Sequence, residues 1–184
     1  RDRLIKDDFL NPGDSNGWAH TGGYFGLGGF NESAIAFCRR AIKLDADNSL
    51  AWFNLAVTFS VLGKSPEAVD AYQTAIKTDP NYEAAWLNLA VEYLQQNKPL
   101  EAINPLRHTI RLNPQDLKSH LYLGIAFLNA DRPKEAIVEF DAALSIDPRS
   151  VETWENKTLA LKQIGDEVGA RKCFEEAVRL KSVN

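Results

Sequence analysis

The chain has no methionine, only two cysteines and only three histidines among its 184 residues, and each scarcity removes a class of protein from consideration. Cys38 and Cys173 cannot build the disulfide framework of a small secreted scaffold, nor a metal site on their own, so they read as small buried hydrophobes. His20, His108 and His120 form no H-E-x-x-H pair, and none has a cysteine at ligand spacing, so no metal and no cofactor are expected. Charge of neither sign dominates: 21 Lys and Arg stand against 25 Asp and Glu, a formal net charge of -4. The basic stripe that phosphate contacts demand is missing, so no nucleic-acid partner is expected. No apolar run approaches the roughly 18 to 20 residues of a spanning helix, and the N-terminus carries no secretory h-region. A soluble, cytoplasmic chain without a membrane partner is the expectation. The missing initiator methionine adds the expectation of a segment cut from something longer, or processed.

Glycine is abundant in one place. Gly17, Gly22, Gly23, Gly26, Gly28 and Gly29 crowd together, yet no G-x-x-x-x-G-K-[ST] and no G-x-G-x-x-G behind a strand can be drawn through them, which argues against a phosphate loop. No nucleophile, base and orienting group can be assembled from spacing either, so the chain is not expected to be an enzyme.

What the sequence does contain is periodicity. Trp18, Trp52, Trp86 and Trp154 recur at one step or a multiple of it, and His120 holds the slot between the last two. Cutting the chain at that step gives five units, 15–48, 49–82, 83–116, 117–150 and 151–184, with no insertion. The eighth position of each is Gly22, Ala56, Ala90, Gly124 and Thr158; the twentieth is Ala34, Ala68, Ala102, Ala136 and Ala170; the twenty-fourth is Cys38, Tyr72, Leu106, Phe140 and Phe174. Pro80, Pro114 and Pro148 close three units. Apolar residues spaced by three and four, as in Trp52, Leu55, Ala56 and Phe59, mark one helical face, and a second such face follows at Ala68, Tyr72, Ala75 and Ile76. Each unit is therefore two antiparallel helices. Gly29, Gly63, Asn97, Asp131 and Gly165 share one position and tolerate the left-handed conformation that ends a first helix. Residues 1–14 read as the second helix of a truncated preceding unit plus a connector. The glycines of the first unit should make its first helix the least stable inner element, at roughly 1 kcal/mol each against alanine.

This column pattern of Trp, Leu, Gly, Tyr, Ala, Phe, Ala and Pro resembles the tetratricopeptide repeat family across residues 15–184. The resemblance implies an all-α, right-handed superhelical solenoid of antiparallel helix pairs, whose first helices line a concave groove. Carried over position by position, it implies that the groove is lined by Leu50, Phe53, Asn54, Val57, Leu87, Asn88, Val91, Lys118, Leu121, Tyr122, Ile125 and Asn156. Asparagine suits an extended peptide because its carbonyl and NH₂ can pair with a backbone N–H and C=O together. The asparagine run is similar to the ladder of O-linked N-acetylglucosamine transferase and to the groove of peroxisomal import receptors. The carboxylate clamp of co-chaperones is not reproduced, since the best register supplies only Asn88 and Lys118.

A protein–protein interaction scaffold that holds an extended peptide or partner helix is the functional expectation. A regulatory or substrate-docking arm of a larger enzyme, such as a glycosyltransferase, is one alternative. A homo-oligomer formed through the groove or the open repeat end is another. It also stays open that the groove asparagines only brace neighbouring helices.

Overall fold

A computed structural model describes residues 11–182, and the helix expected within residues 1–10 lies outside them. The described residues form ten helices and no strand: α1 (Ser15–Leu27), α2 (Asn31–Leu44), α3 (Ser49–Val61), α4 (Ser65–Thr78), α5 (Glu83–Gln95), α6 (Pro99–Leu112), α7 (Leu117–Asn129), α8 (Pro133–Ile146), α9 (Val151–Gln163) and α10 (Glu167–Lys181). The first helix of every repeat starts at the residue where the period cuts the sequence. Two compact units emerge, Arg1–Glu92 and Tyr93–Asn184. In the first, α1 packs on α2 and α3, and α3 on α2 and α4; in the second, α7 packs on α6, α8 and α9, and α9 on α8 and α10.

Local chemistry sets the helix ends. Four first helices begin on a polar cap: Asp14 accepts from the Gly17 N–H, Asn48 from Ala51, Asp116 from Ser119 and Ser150 from Thr153. Such a cap contributes about 1 kcal/mol by satisfying an amide the helix leaves orphaned. Tyr82 holds the same position before α5 and cannot accept in this way; its ring lies 5.0 Å from that of Phe53 instead. Each first helix then stops at a residue with positive φ, at Gly29, Gly63, Asn97, Asp131 and Gly165, with φ between 57 and 80. Asparagine and aspartate are the non-glycine residues that bear this conformation most readily.

The fourth position ties four of the five first helices to the loop before them, α1 being the exception, where the Trp18 indole N–H is buried without a hydrogen-bond partner among the described residues. The indole N–H of Trp52 donates to the Ala46 carbonyl at 2.8 Å, Trp86 to Pro80 at 2.9 Å and Trp154 to Pro148 at 2.9 Å. His120 reproduces the bond through Nε2 to the Pro114 carbonyl at 3.2 Å. Its other nitrogen, Nδ1, lies 2.8 Å from Glu139 Oε2 on α8. Two acceptors facing both ring nitrogens favour the doubly protonated imidazolium. Accordingly the Glu139 bond, followed by the Pro114 contact, raises the His120 pKa against the opposing effect of burial.

The core sits between the helices of each pair. All five alanines at the twentieth position are buried, which lets the helices approach to about 8–10 Å. Partner sizes at the eighth and twenty-fourth positions are matched. A Cβ on Gly22 would fall 2.5 Å from Cys38 Sγ, and one on Gly124 would fall 2.4 Å from the Phe140 ring. Phe140 is thereby fully buried, a gain of about 1.5–3 kcal/mol over exposure. Thr158 takes the corresponding place in α9, where its hydroxyl donates to the Trp154 carbonyl at 2.8 Å. Phe174, the counterpart of Phe140, is turned out to 57% exposure. In the first unit Trp18 stacks on Phe37 at 5.6 Å, and Phe25 meets Phe37 edge-on at 4.9 Å. Cys38 and Cys173 are both free and buried.

Candidate peptide-binding surface

The asparagines at the sixth position of the first helices all use their NH₂ within the chain, in two different ways. Asn54 on α3 donates from Nδ2 to the Ala19 carbonyl on α1 at 3.0 Å, so it braces the preceding first helix. Space for that amide exists because α1 carries Gly23, whose added Cβ would lie only 2.8 Å from Asn54 Nδ2. Asn88 and Asn156 turn back on their own helices, donating to Ala84 at 2.7 Å and to Glu152 at 2.9 Å. In each of the three the Oδ1 accepts no hydrogen bond among the described residues, and one of the two N–H donors is still unused.

The apolar groove positions are less open than expected. Leu50 packs against the cluster of Trp18, Ala19, Phe37, Ala41 and Ala51. Phe53 lies 6.0 Å from the Tyr72 ring as well as 5.0 Å from Tyr82. Leu121 is buried, at 5% exposure. These three side chains therefore have packing partners inside the fold. Val57, Leu87 and Val91 in the first unit, and Tyr122 and Ile125 in the second, are half-buried, while Lys118 is exposed. Each unit thus presents amides and half-buried aliphatic residues, on α3 and α5 in the first, and on α7 and α9 in the second.

Sequence reasoning missed one polar group. Glu92 on α5 is buried, at 2% exposure, and its Oε2 accepts from Ser60 Oγ at 2.6 Å. The same repeat position holds Tyr24, Thr58, Ala126 and Ala160 elsewhere, so the acid was legible as the one carboxylate in an otherwise uncharged column. Burial first, and then the Glu92 charge, push the Tyr72 phenol pKa upward. Among the described residues no group of His, Cys, Asp and Glu is placed to hold a metal ion. No described helix is long and apolar enough to cross a membrane.

Profiles of the tetratricopeptide repeat match residues 49–82 and 87–151. No curated protein shows a significant match to the chain. Among solved structures, MamA is 20% identical with a TM-score of 0.84, covering 91% of this chain and 92% of its own. YrrB, described as a TPR protein with an unusual peptide-binding site, is 19% identical with a TM-score of 0.86 and coverage of 98% and 93%. MamA residues 41 to the end from Desulfovibrio magneticus RS-1 give 16% identity, a TM-score of 0.86 and coverage of 92% and 96%. At these identities the likeness is one of fold.

Proposed function

Because the chain belongs to the tetratricopeptide repeat family, we propose that it is a non-catalytic protein-interaction scaffold whose first helices capture an extended peptide segment. The observation that carries this reading is the state of Asn88 and Asn156. Each keeps an acceptor and one donor after its internal bond, the pair a peptide backbone needs. Half-buried Leu87 and Val91 flank Asn88, and Tyr122 and Ile125 stand one repeat before Asn156. Such residues take up apolar ligand side chains, and exposed Lys118 biases orientation. YrrB, a neighbour in fold, is described as having a peptide-binding site, which supports a peptide as the ligand class.

The test is selection of random dodecapeptides displayed on phage, panned on the protein and on Asn88→Ala and Asn156→Ala variants. Peptides enriched on the parent and lost on either variant, with melting temperatures unchanged, support the proposal. Enrichment that both variants retain rejects the amide mechanism.

The α10 face supports a second reading, end-to-end self-association. Phe174 and Val178 are exposed on it four residues apart, one helical turn, as on a helix awaiting another layer. A light-scattering mass of one chain at every concentration, unchanged by Phe174→Glu, would reject it.

A further inference from the structure

A groove of about 440 Å³ opens on the opposite side of α3, between α2 and α4 and wholly within the first unit. Its volume falls in the range of ligand sites, roughly 300–1,000 Å³. Trp52 and Phe59 form its floor, Arg39 stands on the α2 rim, and Glu67 and Asp70 stand three residues apart on the α4 rim. Neither carboxylate has an ion-pair partner among the described residues.

The chain itself shows what such a floor and rim accept. In the second unit Phe127 occupies the position of Phe59, and Glu135 that of Glu67. There the Arg132 guanidinium lies over the Phe127 ring at 4.7 Å while its Nε donates to Glu135 at 2.6 Å. Arg107 approaches the same ring at 5.8 Å. A planar cation is thus held between an aromatic face and a carboxylate, the arrangement that suits guanidinium better than ammonium. In the first unit the residue matching Arg132 is Lys64, the cap residue of α4, and it pairs with neither carboxylate. Asp70 adds a second acid where α8 has Val138.

We propose that the α2–α4 groove is a second binding site, which takes an arginine side chain of a partner peptide over Phe59 and Trp52 and fixes it to Glu67 and Asp70. Charge complementarity selects this occupant: two acids face the ring floor and only Arg39 opposes them, so a cation is drawn in and an anion is repelled. The site is separate from the asparagine surface, and its failure would leave that surface untouched.

The experiment is a two-dimensional amide NMR titration of the full chain with acetyl-arginine amide. Acetyl-citrulline amide is the uncharged isostere, and acetyl-lysine amide the ammonium control. Shifts confined to residues around Trp52, Phe59, Glu67 and Asp70 are expected, with affinity at least five-fold weaker for citrulline and weaker for lysine. Glu67→Gln with Asp70→Asn should lower arginine affinity at least five-fold. Lys64→Arg, which supplies a guanidinium from within the chain, should compete and reduce binding to a similar degree without lowering the melting temperature. Scattered shifts, equal binding of citrulline, or binding indifferent to the double variant would overturn the proposal.

Discussion

Gly23 and Asn54 are fitted to one another: the absent side chain of the first leaves the 3.0 Å path by which the Asn54 amide reaches the Ala19 carbonyl. Neighbouring Gly22 is fitted to something far less forgiving. A Cβ there meets Cys38 Sγ at 2.5 Å, together with the Ala34 carbonyl at 3.2 Å and the Cys38 amide nitrogen at 3.3 Å. The same substitution at adjacent positions should therefore diverge. Gly22→Ala is expected to destabilise by about 1–3 kcal/mol through overpacking against backbone. Gly23→Ala displaces only a side-chain amide, and its loss of about 1 kcal/mol is offset by a similar gain in helix propensity. Chemical denaturation midpoints of the two variants check this, and equal effects would show that α1 is not held at these contacts.

The asparagines should separate by role. Asn54→Ala removes a bond between helices and is expected to cost about 1 kcal/mol of stability. Asn88→Ala and Asn156→Ala remove only bonds to their own helices, and should cost less than about 0.5 kcal/mol. Thermal unfolding of the three single variants decides whether bracing belongs to Asn54 alone.

His120 should make stability depend on pH. Its folded pKa is raised, chiefly by the Glu139 hydrogen bond. The stabilisation is thus fully present below the unfolded histidine value of about 6.5 and is lost as pH rises through the folded value. His120→Trp restores the indole found in the other repeats and removes the titrating ring. Between about pH 6 and 8 the parent should lose melting temperature relative to this variant; parallel curves would show that the Glu139 pair contributes nothing.

Burial pushes the Cys38 thiol pKa up to about 12, so almost no thiolate exists at neutral pH. In native protein at pH 8, Cys38 should resist alkylation by iodoacetamide and become reactive only on unfolding. Peptide mass mapping reads this directly, and modification under native conditions would mean that the α1–α2 contact opens readily.

Much of the architecture was legible because it obeys a count. The period set every first-helix start, and the left-handed position was fixed by chemistry that admits only Gly, Asn or Asp at Gly29, Gly63, Asn97, Asp131 and Gly165. The small residues at the eighth position were legible for the same reason, since Gly22 and Gly124 answer Cys38 and Phe140. The candidate surface was legible only in part. A register says which helix carries Leu50, Phe53 and Leu121, but their burial depends on partners far along the chain, such as Tyr82 for Phe53. Tyr82 itself breaks the cap column, and that departure was the available clue. The α2–α4 groove could not be read at all, because it depends on whether Lys64 folds over Phe59 as Arg132 folds over Phe127.

The alanine present at one step of every hairpin has almost no accessible surface in any of the five. Larger replacements there would force the paired helices apart, and polar ones would be stranded without solvent. Heritable variation is thereby channelled to the outward columns, so descendants of this chain are free to change clientele while inheriting the same joinery.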